Sequence, residues 1–135
     1  MTTIERAADL LACNLDLVVL REEDTIQVRP IAPTGFLVQI TEQRGTFTVY
    51  YDGWHESFDD ADTAFRCFAW GLSSHARLKV VSARGIAYRW TAETLIDGEW
   101  GVVSTTGLLF WPFWRRSTTR YLQNEALLDP DVWIG

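Results

Sequence analysis

Asp52, His55 and Glu56 fall within one short stretch of the chain. A histidine beside carboxylates can take or give a proton near neutral pH, which is general acid–base chemistry. It can also contribute to a metal site, but such sites need three or four ligands. The other histidine, His75, lies twenty residues on, and no His-x-His or Cys-x-x-Cys spacing accompanies either. The plainer reading is a polar residue in the connection before a helix, so His55 is a secondary candidate. Cys13 and Cys67 are the only thiols. Neither sits where a helix N-terminus or a basic neighbour would activate it. The runs Ser104-Thr105-Thr106-Gly107 and Ser117-Thr118-Thr119 lack the glycines and lysine of a phosphate loop or a nucleophile elbow. No catalytic set, metal site or cofactor site is expected.

A second group has more to offer. Gly107 to Arg116 reads Gly-Leu-Leu-Phe-Trp-Pro-Phe-Trp-Arg-Arg, the most apolar run in the chain. Arg116 and Arg120 share a face whether residues 115–122 are strand or helix, since both periods return there. Arg89 is expected in the same sheet. Trp114 and Tyr121 bring rings close in sequence, and Trp90, Trp100 and Trp111 are the further rings that could join them in a cleft. Arginine beside rings can hold an anion, a planar ligand or an acidic peptide. The alternative is that these arginines pair with the protein's own carboxylates.

Elements that would position these residues follow from periodicity. Residues 2–15 read as a helix, with a capping box at Thr2 and Glu5 and an apolar face of Ile4, Ala8, Leu11 and Leu15. Leu17–Leu20 and Thr25–Arg29 read as strands around the polar turn Glu22-Glu23-Asp24. Phe36–Glu42 and Thr46–Tyr51 alternate as two more strands. Asp52-Gly53 is a turn, and Trp54–Phe58 reads as a connection into a helix capped by Asp59. That helix, near 59–73, has Ala61, Phe65, Phe68 and Leu72 on its apolar face. Trp70 lies opposite, where a later segment is expected to cover it. Leu78–Ala83, Ile86–Ile96, Glu99–Thr105 and Ser117–Leu122 read as strands. A two-residue loop at Asp97-Gly98 sets Ile96 against Glu99, Leu95 against Trp100, Thr94 against Gly101 and Ala92 against Val103. Trp90 and Trp100 then fall on opposite faces. Pro112 fits a bend better than a central strand.

These elements predict one α+β domain over residues 1–135. Two helices pack on a mainly antiparallel sheet of about seven or eight strands, in the order α, four β, α, three or four β. The 135 residues suit a single domain, and seven tryptophans supply large rings for its core. The net charge of −6 disfavours nucleic acid and anionic membrane. No run of eighteen apolar residues or leader pattern is present, so a cytoplasmic protein is expected. The leading functional expectation is a non-catalytic domain that binds another protein or itself through an acidic or aromatic surface. The alternative is a small-ligand or anion-binding domain, or an unrecognised enzyme, built on Trp90, Trp100, Trp111, Trp114, Arg116 and Arg120.

Overall fold

Alternation decides the first sheet. In β2 (Thr25–Arg29), β3 (Val38–Gln43) and β4 (Thr46–Tyr51), every second residue is apolar and buried: Ile26 and Val28, Val38 and Ile40, Phe47, Val49 and Tyr51. With β1 (Val18–Arg21) and β5 (Trp54–Phe58) they form a five-stranded antiparallel meander in sequence order. The structure, a computed structural model, describes residues 3–12, 18–107 and 116–124. The expectations for Thr2, Cys13, Trp111, Pro112, Trp114 and the last eleven residues lie outside these.

Two helices pack against this sheet. Helix α1 (Thr3–Ala12) contributes Ile4 and Ala7 to the core and lies against β2 and β3. Helix α2 (Ala61–Gly71) buries Ala64, Phe65, Phe68 and Ala69 against β3, β4 and β5. Its cap is Asp60, one residue later than expected. The Asp60 carboxylate accepts hydrogen bonds from the backbone N–H groups of Asp62 and Thr63, meeting two of the orphan donors of the first turn. The Thr63 hydroxyl chiefly, and then those backbone bonds, hold its pKa below the usual carboxylate value.

A second antiparallel sheet follows, made of β6 (Ala76–Ala83), β7 (Ile86–Ile96), β8 (Glu99–Gly107) and β9 (Thr118–Leu122). Its spatial order is β8-β7-β6-β9, so the last strand returns to pair with β6. The expected single sheet of seven or eight strands is therefore corrected to two sheets. Helix α2 interrupts the meander after β5, and β6 then pairs with β7 and β9, not with β5. The free edge of β5 meets the second sheet through side chains instead. The His55 N–H donates to Thr106 Oγ1 at 3.2 Å, and the Thr106 hydroxyl donates to the His55 carbonyl at 3.2 Å. An edge covered in this way cannot template further pairing. Trp54–Phe58 is likewise a strand, not a connection.

Tight turns fix the hairpins. Arg44-Gly45, Arg84-Gly85 and Asp97-Gly98 all place both residues at positive φ, the two-residue turn whose twist matches antiparallel strands. After Asp97-Gly98 the register runs as counted for four pairs and then breaks, so the expected Ala92–Val103 pair does not form. Glu93 faces Val102, but Ala92 faces Ser104, so Val103 is an extra, bulged residue. The bulge moves Ser104 and Thr106 onto the inner face, where they meet β5. A second irregularity between β6 and β7 leaves Tyr88 as the extra residue.

One cluster of buried residues draws on both helices and both sheets, including Trp54, Phe36, Phe68, Leu78, Val80, Ala92 and Leu122. Asn124, just past β9, joins the layers. Its Oδ1 accepts from the Phe36 N–H at 3.0 Å and its Nδ2 donates to the Gly71 carbonyl at 2.9 Å. Trp90 closes the same seam lower down, with its ring so near Gly53 that a Cβ there would stand 2.3 Å from it.

Candidate functional site

The outer face of the second sheet is built by register alone. Partners directly across the ladder point the same way. Arg77 faces Glu93, Glu93 faces Val102, Leu95 faces Trp100, and Lys79 faces both Thr91 and Tyr121. Four strands thus bring Arg77, Glu93, Trp100 and Tyr121 to one surface. Neither helix covers it: α1 and α2 lie on the first sheet, and α2 meets the second sheet from its inner side, at β6 and through Trp70 at Thr94.

Arg77 organises this surface. Its Nε donates to Glu93 Oε1 at 2.5 Å, with side-chain exposures of 24% and 10%. The guanidinium lies 4.4 Å from the Trp100 ring centroid and 4.3 Å from that of Tyr121. A cation between two ring faces is attracted by both quadrupoles, and Arg stacks better than Lys because it is planar. The ion pair holds the guanidinium while the rings shield it. Around this stack Val102 stays 67% exposed and Tyr121 50%.

The sequence candidates are distributed more widely. Trp100 stands in the stack. Trp90 is on the inner face against Gly53, so these two rings do not line one cleft. Arg116 is exposed just before β9, and Arg120 is exposed within it, facing Val80. Arg120 acts on Asp52, whose carboxyl is pushed above its usual pKa by desolvation, with the Leu37 N–H and Arg120 pulling the other way. Arg89 lies 5.9 Å from the Tyr88 ring. His55 is exposed on β5 with its ring 5.8 Å from Tyr50, on the opposite side from Trp54 and Glu56. Among the described residues no three of His, Cys, Asp and Glu are placed to share a metal ion.

Cys67 is not an activated thiol. Burial pushes its pKa up to about 12, although the Tyr51 hydroxyl pulls it down. Tyr51 is itself raised well above the usual tyrosine value, first by burial. Its hydroxyl donates to the Cys67 carbonyl. Trp70, expected to be covered by a later segment, donates its indole N–H to Thr94 on β7 and meets the His75 ring edge-on at 5.6 Å.

Sequence reasoning missed Arg77 and Glu93. Arg77 lies before the strand start assigned at Leu78, and nothing local marks it. The only available signal was that Glu93 alternates with Leu95 toward Trp100, a carboxylate in need of a partner beside a ring.

This is an α+β fold of two antiparallel sheets with a preformed arginine–aromatic surface on the second. No family model matches the chain, and no curated protein or solved structure matches it either. No helix among the described residues is long and apolar enough to cross a membrane.

Proposed function

We propose that this is a non-catalytic interaction domain whose partner docks on the outer face of the second sheet. The observation that carries this reading is the Trp100–Arg77–Tyr121 stack. Trp, Tyr and Arg are the residue types most enriched in binding hot spots. Here the Arg is held in advance by Glu93, so ordering it on association costs less. Leu95 and Val102 extend the same face with apolar surface. Such a patch suits a protein partner or a second copy of this chain. The net charge of −6 is compatible with a basic rim on that partner. The alternative of an anion held by Trp90, Trp100, Arg116 and Arg120 draws less support, because Trp90 and Trp100 face apart.

The test uses the wild-type protein and Trp100→Ala side by side. Light scattering after size exclusion reads self-association. Quantitative cross-linking capture from the native host reads foreign partners. The expected result is an assembly or a captured protein that Trp100→Ala loses. A wild-type monomer that retains the same proteins as Trp100→Ala overturns the reading.

A further inference from the structure

Four strands form the edges of the two sheets, and three of these edges are blunted. β1 is only four residues long and ends in Arg21. β5 is covered by the Thr106 side chain. β9 is five residues long and carries Arg120. The fourth edge, β8, runs for nine residues, and Trp100 to Gly107 contains neither a charge nor a proline. Among the described residues no strand pairs with its far edge. Gly101, Val102 and Val103 are all exposed.

The ladder orients the backbone of this edge. The Leu95 N–H donates to the His75 carbonyl at 2.8 Å, on the β6 side. Leu95 therefore exchanges no backbone bonds with Trp100, which faces it from β8, and the Trp100 N–H and C=O point away from β7. By alternation Gly101 bonds to Thr94, and the N–H and C=O of Val102 point outward again. Two residues with outward backbone groups are thus separated by one glycine. A Cβ on Gly101 would meet nothing within 4 Å.

We propose that β8 pairs antiparallel with β8 of a second copy, about a two-fold axis through Gly101. In that register Trp100 of each copy faces Val102 of the other, and each pair exchanges both of its backbone hydrogen bonds. The glycines meet at the close, non-hydrogen-bonded position between them. On the outer face each Trp100 ring lies beside the other copy's Val102, which is 67% exposed in the single chain. Charge favours this partner. Glu99 faces Val103 of the second copy, so the two Glu99 positions stand ~14 Å apart along the strands, beyond the screening length of ~8 Å. A chain of net charge −6 therefore meets itself here with no like charges opposed. The bulge ends the regular ladder at Val103. The two-fold consumes both β8 edges, so the assembly closes at two copies and sets both arginine–aromatic stacks on one side of a continuous sheet. The contact is separate from partner docking on the outer face, because it is made by the backbone of an edge.

Sedimentation equilibrium of the full chain from ~1 μM to ~1 mM tests this. The wild type should pass from the mass of one chain to that of two. Gly101→Lys and Gly101→Glu place like charges on the axis, at a position with room for a side chain. Each alone should weaken association at least about tenfold, and an equimolar mixture of the two should restore it. That rescue separates loss of the contact from loss of the fold. Arg77→Ala, which removes the outer-face stack and spares the edge, should still dimerise. Backbone amide exchange should slow with concentration at Trp100 and Val102. A wild type that stays monomeric up to ~1 mM overturns the dimer, and leaves the outer-face reading standing if foreign proteins are still captured through Trp100. Association that both charged variants retain, or that Arg77→Ala loses, also overturns it, the second by moving the contact to the outer face.

Discussion

The outer faces of the two sheets solve the same problem differently. On the first, short neutral side chains pair across strands. Thr25 bonds Thr41 at 3.1 Å, Gln27 donates to Gln39 at 3.0 Å, Gln39 donates to Thr41, and Thr48 bonds Ser57. That ladder satisfies itself and offers a partner little. On the second, the face is ordered by one ion pair and two rings, and it leaves apolar surface beside them. The register irregularities also belong to the second sheet alone. A neutral ladder closes a surface, whereas a stacked cation with exposed apolar neighbours prepares one.

The comparison has meaning only if the two sheets stand or fall together, and the largest expected effect tests that. Asn124→Ala leaves the buried Phe36 N–H and Gly71 carbonyl without partners, which should cost about 2–4 kcal/mol. Denaturant unfolding followed by tryptophan fluorescence and by far-UV circular dichroism should show one transition moved to lower denaturant. Two separated transitions would show that the sheets are independent.

The faces themselves differ next. Arg77→Ala strips Glu93 of its partner and two rings of their cation, at about 2 kcal/mol. Gln27→Ala, the matching change on the first sheet, should cost under ~1 kcal/mol because the remaining ladder rearranges. Equal losses in chemical denaturation would erase the contrast.

The smallest effect concerns the seam. Desolvation raises the Asp52 pKa in the folded protein, so folding disfavours its charged form relative to the unfolded chain. Its contribution to stability is therefore present below the ordinary carboxylate value of about 3.9 and is lost as pH rises through the raised folded value. Asp52→Asn stays neutral, still accepts from the Leu37 N–H, and tolerates the positive φ of 49°. Melting temperatures should show a slight gain over wild type at pH 7 that disappears at pH 3.

Much of the fold was legible because local rules govern it. Thr25–Arg29, Thr46–Tyr51 and Ile86–Ile96 begin and end where alternation and turn residues place them. Trp54–Phe58 was hidden because His55 and Glu56 make a strand look like a polar connection. The two-sheet division was hidden because β9 pairs with β6 across 36 or more residues, a choice no local pattern encodes. The Val103 bulge was invisible for a related reason. Counting from a turn assumes a regular ladder, and the bulge exists to bring Ser104 under the Trp54 indole. The arginine–aromatic stack needs β6, β8 and β9 at once, so the sequence named two of its rings, Trp100 and Tyr121, without the arginine that joins them.

Asn124 also sets a clock on synthesis. Its two partners are translated long before it, Phe36 by 88 residues and Gly71 by 53. The first sheet and α2 are assembled from neighbouring segments, so they can form while the chain is still leaving the ribosome. At ~5–20 residues per second the carbonyl at the end of α2 then waits for roughly 3–10 s. During that interval the nascent chain holds a nearly finished sheet with an open seam. Occupation of that seam by a chaperone or by a neighbouring nascent chain would compete with β9, and its arrival is what seals the fold.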